Sequence, residues 1–306
     1  MNEILLYAPS TSANVGPGYD IFAMALNEPH DEVKISLNNT DDIKIEIIGN
    51  NQNIPSSIVD NTAGLAISEL FKRQNIKQGV GIQIIKKMTS GGGLGTTGAS
   101  ASAAIYGLNK LLNLNLTYNE MIEYARYGEV ASGGSPHADN VAAALLGGFV
   151  LIKSYNPIEA IKLDLPDIPV VLSVITKSQR TTRGFITYEI GQEKLKQQMA
   201  NCSRVINAIY TKDIAEFGKA ISVDHIAEPV RGAAIPGYLE IKDKVLNAGA
   251  YGLTISGGGS SVIAICNIEN QQKIADLMHN SFFSNPNYVK TIMTKTSNQG
   301  VREIPL

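Results

Sequence analysis

A glycine-rich stretch that contains two adjacent threonines is the part of this sequence best suited to chemistry. It reads GGGLGTTGASASAA over residues 91–104, between a predicted strand (80–85) and a predicted helix that lasts to about Leu112. Glycines let the backbone approach a ligand closely, and the N–H groups and positive dipole end of a helix N-terminus bind phosphate. With the hydroxyls of Thr96 and Thr97, the stretch predicts a phosphate-binding loop.

Two common nucleotide motifs fit this loop poorly. Gly93, Gly95 and Gly98 spell G-x-G-x-x-G, but a dinucleotide-binding unit needs a second parallel strand after the helix, and the next segment (118–126) reads as another helix. The lysine that ends a P-loop is missing. A glycine-rich turn that only packs helix on strand stays an alternative on the residues alone.

Composition restricts the classes of function. The chain has 306 residues, 44% of them hydrophobic and 18% charged, with a formal net charge of −2, which suits a folded protein of one large or two modest domains. It has no clustered basic run, no run of eighteen apolar residues and no secretory leader pattern. We therefore expect no nucleic-acid or membrane partner and a cytoplasmic location. Cys202 and Cys266 are expected to be free thiols.

The predicted elements form a mixed α+β pattern rather than a regular alternation of strand and helix. A change to turn residues near 154–157 predicts a boundary between an N-terminal domain (1–155) and a C-terminal domain (156–306). Predicted strands cover 3–8, 31–37, 42–48, 80–85, 149–152, 170–175, 252–256, 262–266 and 288–294. Predicted helices cover 61–74, 96–112, 118–128 (after a Thr117/Glu120 capping box), 141–146, 193–210, 214–221, 238–248 and 271–279.

Several ordered motifs resemble one kinase superfamily. TSGGGLGTTGAS (89–100) is similar to the phosphate loop of the galactokinase, homoserine kinase, mevalonate kinase and phosphomevalonate kinase (GHMP) superfamily, with Thr89 in a position that is usually proline. APSTSANVGPGYDIFAMAL (8–26) and TISGGGSSVIAI (254–265) resemble its other two motifs, with Ser260 again replacing proline. HADNVAAALLGGF (137–149) and EPVRGAAIPGY (228–238) resemble the homoserine kinase family in particular.

The resemblance implies a fold and an activity. It implies an N-terminal mixed α/β nucleotide-binding domain, a C-terminal ferredoxin-like domain, and ATP and substrate meeting between them. The implied reaction is ATP-dependent phosphorylation of the L-homoserine side-chain hydroxyl, a step of threonine biosynthesis, by a cytoplasmic homodimer. Alternatives are a related kinase for L-threonine or mevalonate, a non-catalytic metabolite sensor on this fold, and, lowest, a dinucleotide-dependent oxidoreductase.

On the nucleotide side, the resemblance assigns Thr97 and Glu129 to Mg²⁺ and Asn61 to adenine. Mg²⁺ takes few protein ligands and completes its shell with phosphate and water oxygens. On the residues alone, Glu129 is a solvated carboxylate at a helix end and Asn61 is a helix N-cap, which does not exclude a contact with adenine. The implied nucleotide-binding set is Asn61, Gly91, Gly92, Gly93, Leu94, Gly95, Thr96, Thr97, Gly98 and Ser100.

The implied amino-acid pocket contains groups for each part of homoserine. Arg231 would bind the carboxylate, Asp20 or the amide oxygen of Asn14 the ammonium, and Asn140 the hydroxyl. Asn140 cannot take a proton, so direct in-line attack is expected, with Asp139 as a second-ranked base. The full implied substrate set is Asn14, Asp20, His137, Asp139, Asn140, Thr176, Arg180 and Arg231, and Arg183 is an alternative to Arg180. On the residues alone, Asp20 and Arg231 fit a surface ion pair equally well, His137 fits an ordinary loop histidine, and 176–185 fits a solvated basic turn.

Overall fold

A computed structural model describes residues 2–49, 54–177 and 188–306, which form two β-sheets covered by helices. The strands of the larger sheet are β1 (Glu3–Ala13), β2 (Phe22–Asn38), β3 (Ile43–Ile48), β4 (Gly79–Ile85), β5 (Phe149–Tyr155), β6 (Ile158–Leu163) and β11 (Arg302–Ile304). Within the described residues these seven strands run in the order β11-β1-β2-β4-β3, with β5 paired to β2 and β6 to β5. Only the β3–β4 ladder is parallel among those pairs.

Small side chains bring the helix after the phosphate loop close to this sheet. The helices here are α1 (Thr62–Gln74), α2 (Thr96–Leu111), α3 (Tyr118–Gly128), α4 (Val130–Gly133) and α5 (Asp139–Leu146). On α2, Gly98, Ala99, Ala101, Ala103 and Ala104 are buried. A Cβ at Gly107 would lie 2.9 Å from the Leu6 side chain and 3.0 Å from that of Ile35, so glycine permits the close approach of helix and sheet.

The smaller sheet has the ferredoxin-like strand order. Its strands are β7 (Pro169–Ile175), β8 (Gly252–Ile255), β9 (Val262–Ile265) and β10 (Tyr288–Lys295), and they run antiparallel in the order β10-β7-β9-β8. The helices of this half are α6 (Gln192–Thr211), α7 (Ile214–Ile221), α8 (Glu228–Ala233), α9 (Tyr238–Asn247) and α10 (Ile268–Phe282). The predicted two-domain α+β fold is therefore confirmed.

The observed elements differ from the predicted ones mainly where pairing between strands overrides the preference of the local sequence. The first strand was expected to end at Ala8, before Pro9, but β1 continues to Ala13 through a register shift against β2 between Pro9 and Thr11. The bulge lets the strand pass the proline, whose missing N–H would otherwise break the ladder. The sequence analysis did not predict α4, α8, β6, β11 or the first half of β2.

The predicted division at 155/156 falls in the turn between β5 and β6, which pair with each other. β11 also returns to the larger sheet from near the end of the chain, pairing with β1. The larger sheet therefore contains strands from both sides of residue 155, and the division into domains at that point stays a prediction.

Two composition-based expectations can be compared with the fold. None of the described helices combines the length and apolar character needed to cross a membrane. Cys202 on α6 and Cys266 after β9 are both free thiols, as expected. Burial raises the pKa of each thiol to about 11, so both stay protonated near neutral pH.

Candidate active site

Hydrogen bonds join the end of β1, which leads into the first glycine-containing segment, to the other two glycine-rich segments. We call residues 14–21 the first loop, 90–95 the phosphate loop and 256–261 the third loop. The Thr11 N–H donates to the Leu94 carbonyl at 3.0 Å, and the Gly257 N–H donates to the Ala13 carbonyl at 2.9 Å. The Ser256 hydroxyl lies 2.9 Å from the Gly93 carbonyl, to which it donates. The phosphate loop is thus fixed to segments from both halves of the chain.

Two positions in the phosphate loop require glycine. Gly95 is the N-cap of α2 with φ +63°, and Gly93 has φ +77°, a region that side chains rarely adopt. A Cβ at Gly95 would overlap the Thr11 hydroxyl and lie 2.6 Å from Asn140 Oδ1. The glycines therefore allow both the backbone conformation and the close approach of neighbouring groups.

A cleft runs along the phosphate loop and collects most of the predicted nucleotide set. Gly92 and Gly98 are buried behind it: a Cβ would lie 3.0 Å from Ser261 Oγ at Gly92, and 3.3 Å from Asn140 Cβ at Gly98. These two glycines support the loop rather than line the cleft. The predicted residues that line the cleft are Asn61, Gly91, Gly93, Leu94, Gly95, Thr96, Thr97, Ser100, Glu129 and Asn140.

Glu129 is not the solvated helix-end carboxylate that the residues alone suggested. It lies between α3 and α4 with only 4% of its surface exposed, and it lines the same cleft as Thr97. A carboxylate that lines the cleft beside the phosphate loop is a hard oxygen donor, so its position suits cation binding.

The donor chemistry here fits Mg²⁺. Glu129 offers a carboxylate and Thr97 a hydroxyl, both hard oxygen ligands. No group of three or more His, Cys, Asp or Glu side chains that could hold a metal is found in the described parts of the chain. A small protein contribution is what Mg²⁺ needs when phosphate and water oxygens complete its shell.

Asn61 has a structural role in addition to its position in the cleft. Its Oδ1 accepts from the backbone N–H groups of Ala63 (3.0 Å) and Gly64 (3.3 Å), which makes it the N-cap of α1. Its Nδ2 donates to the Pro55 carbonyl at 2.7 Å. The N-cap interpretation is thus what the structure shows, and any contact with adenine would use the second amide hydrogen.

Asn140 is oriented by a residue that the sequence analysis missed. The Thr11 hydroxyl donates to Asn140 Oδ1 at 2.7 Å, and both side chains are buried. This bond fixes the amide so that Oδ1 faces Thr11 and leaves the Nδ2 side of the amide for other partners. Asn140 thereby lies beside Gly95 and lines the cleft.

Asp139, the second-ranked base, is 2% exposed in the first turn of α5. Its Oδ1 accepts from the backbone N–H of Asn140 at 2.8 Å. This carboxylate accepts a backbone hydrogen bond at the start of α5, the helix that carries Asn140. It is not among the groups that line the cleft.

The first loop brings Asp20 to His137. Asp20 Oδ1 lies 3.7 Å from His137 Nδ1, and both side chains are part-exposed. The Asn14 side chain is fixed locally, because its Oδ1 accepts from the Asp20 backbone N–H at 2.7 Å. Asn14 has φ +53° and Asp20 φ +54°, so the hydrogen bond holds a tight turn that aims Asp20.

Arg231 lies near the end of α8 and contacts the third loop. Its Nη1 donates to the Gly257 carbonyl at 2.6 Å, and its Nε donates to the Tyr188 hydroxyl at 3.0 Å. The guanidinium carbon lies 5.5 Å from the ring centres of both Tyr19 and Tyr188. Arg231 is therefore a constrained group and not a solvated surface charge.

Thr176 follows β7, but its hydroxyl donates to the Asn287 carbonyl at 3.2 Å, and the cleft lining includes its neighbour Lys177 instead. The structure thus gives Thr176 a local role at the strand end. The predicted carboxylate contact Arg180 and its alternative Arg183 lie outside the described residues.

Several residues near the site escaped the sequence analysis. Lys86 lines the cleft and pairs with the fully buried Asp31, which also accepts from the backbone N–H groups of Lys87 and Met88. A lysine at a strand end carries no motif, so only the fold reveals it. Burial and the nearby Asp20 charge raise the pKa of Tyr19 to about 12, so this phenol stays neutral at physiological pH.

Comparisons with known proteins agree with this fold. Residues 57–148 match the family model for the GHMP kinases N-terminal domain, and residues 205–285 match the one for the GHMP kinases C-terminal domain. The chain is 39% identical over 267 residues to a homoserine kinase from Methanococcus vannielii, covering 87% of this chain and 88% of that protein. A homoserine kinase from Methanococcus maripaludis is 37% identical, with the same coverage.

Solved structures agree as well. The crystal structure of homoserine kinase from Cytophaga hutchinsonii superposes with a TM-score of 0.90 at 32% identity, covering 99% of this chain and 98% of that one. Identity above 30% over most of both chains, together with the same fold, indicates that the two whole chains share a common ancestor. This protein belongs to the homoserine kinase family of the GHMP kinases.

Proposed function

We propose that this protein transfers the γ-phosphoryl group of ATP to the side-chain hydroxyl of L-homoserine, forming O-phospho-L-homoserine for threonine biosynthesis. The observation that supports this most is the arrangement of polar side chains around the phosphate loop. Asn140 lies against the phosphate loop. Arg231 donates a hydrogen bond to the third loop, and the third loop in turn donates one to the phosphate loop. A neutral amide beside the phosphates and a cation further out suit an amino acid with a terminal hydroxyl.

The nucleotide would bind with its phosphates at the start of α2. The backbone N–H groups there and the helix dipole favour negative charge, and the phosphate loop can approach closely because it carries no bulky side chains at Gly93 and Gly95. Thr97 and Glu129 would hold Mg²⁺, which when bound neutralises phosphate charge as it develops during transfer.

Homoserine would be recognised by charge at both ends of its backbone. The guanidinium of Arg231 suits the carboxylate, since three of its five N–H groups are not used in its hydrogen bonds to described residues. The carboxylate of Asp20, beside His137, suits the ammonium. Of the other predicted contacts, Asn14 would act by positioning Asp20, while Thr176 and Arg180 stay predictions.

The chemical step would be an in-line displacement. The substrate hydroxyl oxygen forms a bond to the γ-phosphorus while the bond from that phosphorus to the β–γ bridging oxygen of ATP breaks, leaving ADP. Asn140 would orient the hydroxyl through its Nδ2 group, because Thr11 already occupies Oδ1. The hydroxyl proton passes to a phosphate oxygen or to water, since phosphoryl transfer depends on positioning and charge neutralisation more than on a strong base.

The test is ADP release by the purified protein with Mg-ATP across L-homoserine, L-threonine, L-serine and mevalonate. We expect turnover with L-homoserine far above the others, and a new phosphomonoester signal in the ³¹P NMR spectrum. Turnover with mevalonate or threonine instead would keep the kinase and overturn the pocket. Tight ATP binding without turnover of any of them would favour the sensor.

Two further expectations rest on the family resemblance alone. The homodimer stays a prediction, and sedimentation of the purified protein against its 32.8 kDa chain mass would test it. The cytoplasmic location also stays a prediction.

A further inference from the structure

We propose that Tyr188 is a positioning residue that sets the affinity for the amino acid by fixing the orientation of Arg231, with Tyr19 completing the clamp. The inference rests on the proposed function, because it takes Arg231 as the carboxylate contact. Neither tyrosine is among the predicted site residues, although Tyr19 lies within the motif at 8–26.

The clamp is defined by four contacts. Arg231 Nε donates to the Tyr188 hydroxyl at 3.0 Å. The guanidinium carbon is 5.5 Å from the Tyr188 ring centre and 5.5 Å from that of Tyr19, within reach of cation–π attraction. The two rings meet edge to face, with their centres 5.1 Å apart. The guanidinium therefore contacts two rings that also support each other.

These contacts determine which edge of the guanidinium is left for a ligand. Nε is used by Tyr188, and Nη1 donates one hydrogen bond to the Gly257 carbonyl at 2.6 Å. The remaining N–H groups are both of those on Nη2 and the second one on Nη1. In a planar guanidinium the outward N–H of Nη1 and the outward N–H of Nη2 are parallel, and this edge is the one left for a ligand when Gly257 takes the other Nη1 hydrogen. A carboxylate can take that edge with two parallel bonds.

The helix that carries Arg231 is also fixed at its start. The Asp224 carboxylate accepts from the backbone N–H groups of Ile226 (2.8 Å) and Glu228 (2.9 Å) at the beginning of α8. Gln198 donates to Asp224 at 3.0 Å and to the Pro17 carbonyl of the first loop at 2.8 Å. Arg231 is thus held at its backbone by this network and at its tip by the tyrosines.

Restricting a long side chain before the ligand arrives reduces the entropy lost on binding. Arginine has many rotamers, and immobilising one such side chain weakens binding by a factor of about 2 to 10. Removing the Tyr188 hydroxyl should therefore raise the homoserine KM within that range and leave the chemical step unchanged.

The experiment compares Tyr188→Phe with wild type and with Tyr210→Phe, a tyrosine on α6 that is 75% exposed. We expect Tyr188→Phe to raise the homoserine KM about 3- to 10-fold, with kcat and the ATP KM within twofold of wild type. Tyr210→Phe should change none of these. Repeating Tyr188→Phe in an Arg231→Leu background should abolish its effect, because the hydroxyl acts only through Arg231.

Three results would overturn the inference. They are an unchanged homoserine KM in Tyr188→Phe, an equal rise in the ATP KM, and an effect of the same size in the Arg231→Leu background. A wild-type protein that does not turn over homoserine would overturn the proposed function instead, and this inference with it. Thermal unfolding monitored by circular dichroism checks that each variant is folded.

Discussion

The proposed phosphate site and the proposed amino-acid site are built from different kinds of group. The phosphate side is mostly backbone: Gly93 and Gly95 adopt positive φ, and the small side chains of α2 let the helix approach the sheet. The amino-acid side is built from side chains that hold other side chains, such as Thr11 on Asn140 and Tyr188 on Arg231. A backbone site serves any phosphate, whereas a side-chain site selects one substrate.

This difference predicts how each side fails when it is altered. Changes on the phosphate side should reduce turnover or stability, because they remove charge stabilisation or strain the loop. Changes on the amino-acid side should raise the homoserine KM and leave kcat and ATP binding nearly unchanged, because they affect recognition alone.

The largest effect is expected for Glu129→Gln. The substitution removes a buried carboxylate beside the phosphate loop, and loss of one group that stabilises transition-state charge lowers kcat about 100- to 1000-fold. Steady-state kinetics with a separate ATP-binding titration would measure it. Glu123→Gln is the matched control and should keep near wild-type turnover, because Glu123 lies on α3, the helix directly before Glu129 in the chain, and pairs with Arg126 at 2.8 Å outside the cleft lining. An ATP affinity that falls as much as kcat would contradict the assignment.

The next effect concerns the need for glycine at Gly95. Gly95→Ala should lower the free energy of unfolding by about 1–3 kcal/mol more than Gly91→Ala, because the new Cβ overlaps the Thr11 hydroxyl. Both positions have positive φ, but a Cβ at Gly91 meets nothing within 4 Å, so the comparison isolates the contact. Urea unfolding of the two variants provides the measurement, and equal destabilisation would show that Thr11 and Asn140 do not crowd the loop.

A smaller effect is expected from Asn14 on the amino-acid side. Asn14→Ala removes the acceptor that holds the Asp20 backbone at 2.7 Å, and should raise the homoserine KM about 3- to 10-fold. Asn14→Asp retains an oxygen acceptor and tolerates the φ of +53°, so it should stay closer to wild type. If Asn14→Asp instead bound homoserine markedly tighter, a direct contact with the ammonium would replace the positioning role.

The smallest effect is a pH dependence of stability. Burial, followed by the charge of Asp20 and by Tyr188, raises the pKa of Tyr19 from 10.0 to about 12, while Arg231 lowers it. A raised pKa means that the folded protein keeps the Tyr19 proton up to a higher pH than the unfolded chain does. The protonated Tyr19 phenol therefore contributes fully to the free energy of unfolding below pH 10, and this contribution is lost as the pH rises towards 12. The wild type should lose more unfolding free energy than Tyr19→Phe across this interval, and parallel curves would argue against a buried, neutral phenol.

The sequence predicted the phosphate side better than the amino-acid side, and the reason is physical. A glycine that needs positive φ and a helix of small residues leave a local pattern, so 90–104 could be interpreted without the fold. The buried state of Glu129 and the partners of Asn140 and Arg231 depend on contacts between distant segments. No spacing within a segment encodes those contacts.

Two predicted roles show the same limit. Asn61 was correctly predicted as an N-cap because the capping pattern is local. The bond from the Asp20 backbone to Asn14 was not predicted because it depends on the turn, and the contact of Asn14 with the ammonium stays a prediction. β6 and β11 were missed since strands at the edge of a sheet have short, half-polar sequences. Pairing with β5 and β1 stabilises them.

The most direct test of this division is the specificity of wild type and Arg231→Leu for L-homoserine against 3-amino-1-propanol, which lacks only the carboxylate. We expect wild type to prefer homoserine by at least about 100-fold in kcat/KM, because a charged site left without its partner penalises the smaller compound. Arg231→Leu should have a much lower kcat/KM with homoserine, through a raised but measurable KM, and keep its kcat/KM with 3-amino-1-propanol. An equal loss with both compounds would contradict the account, because Arg231 would then not recognise the carboxylate.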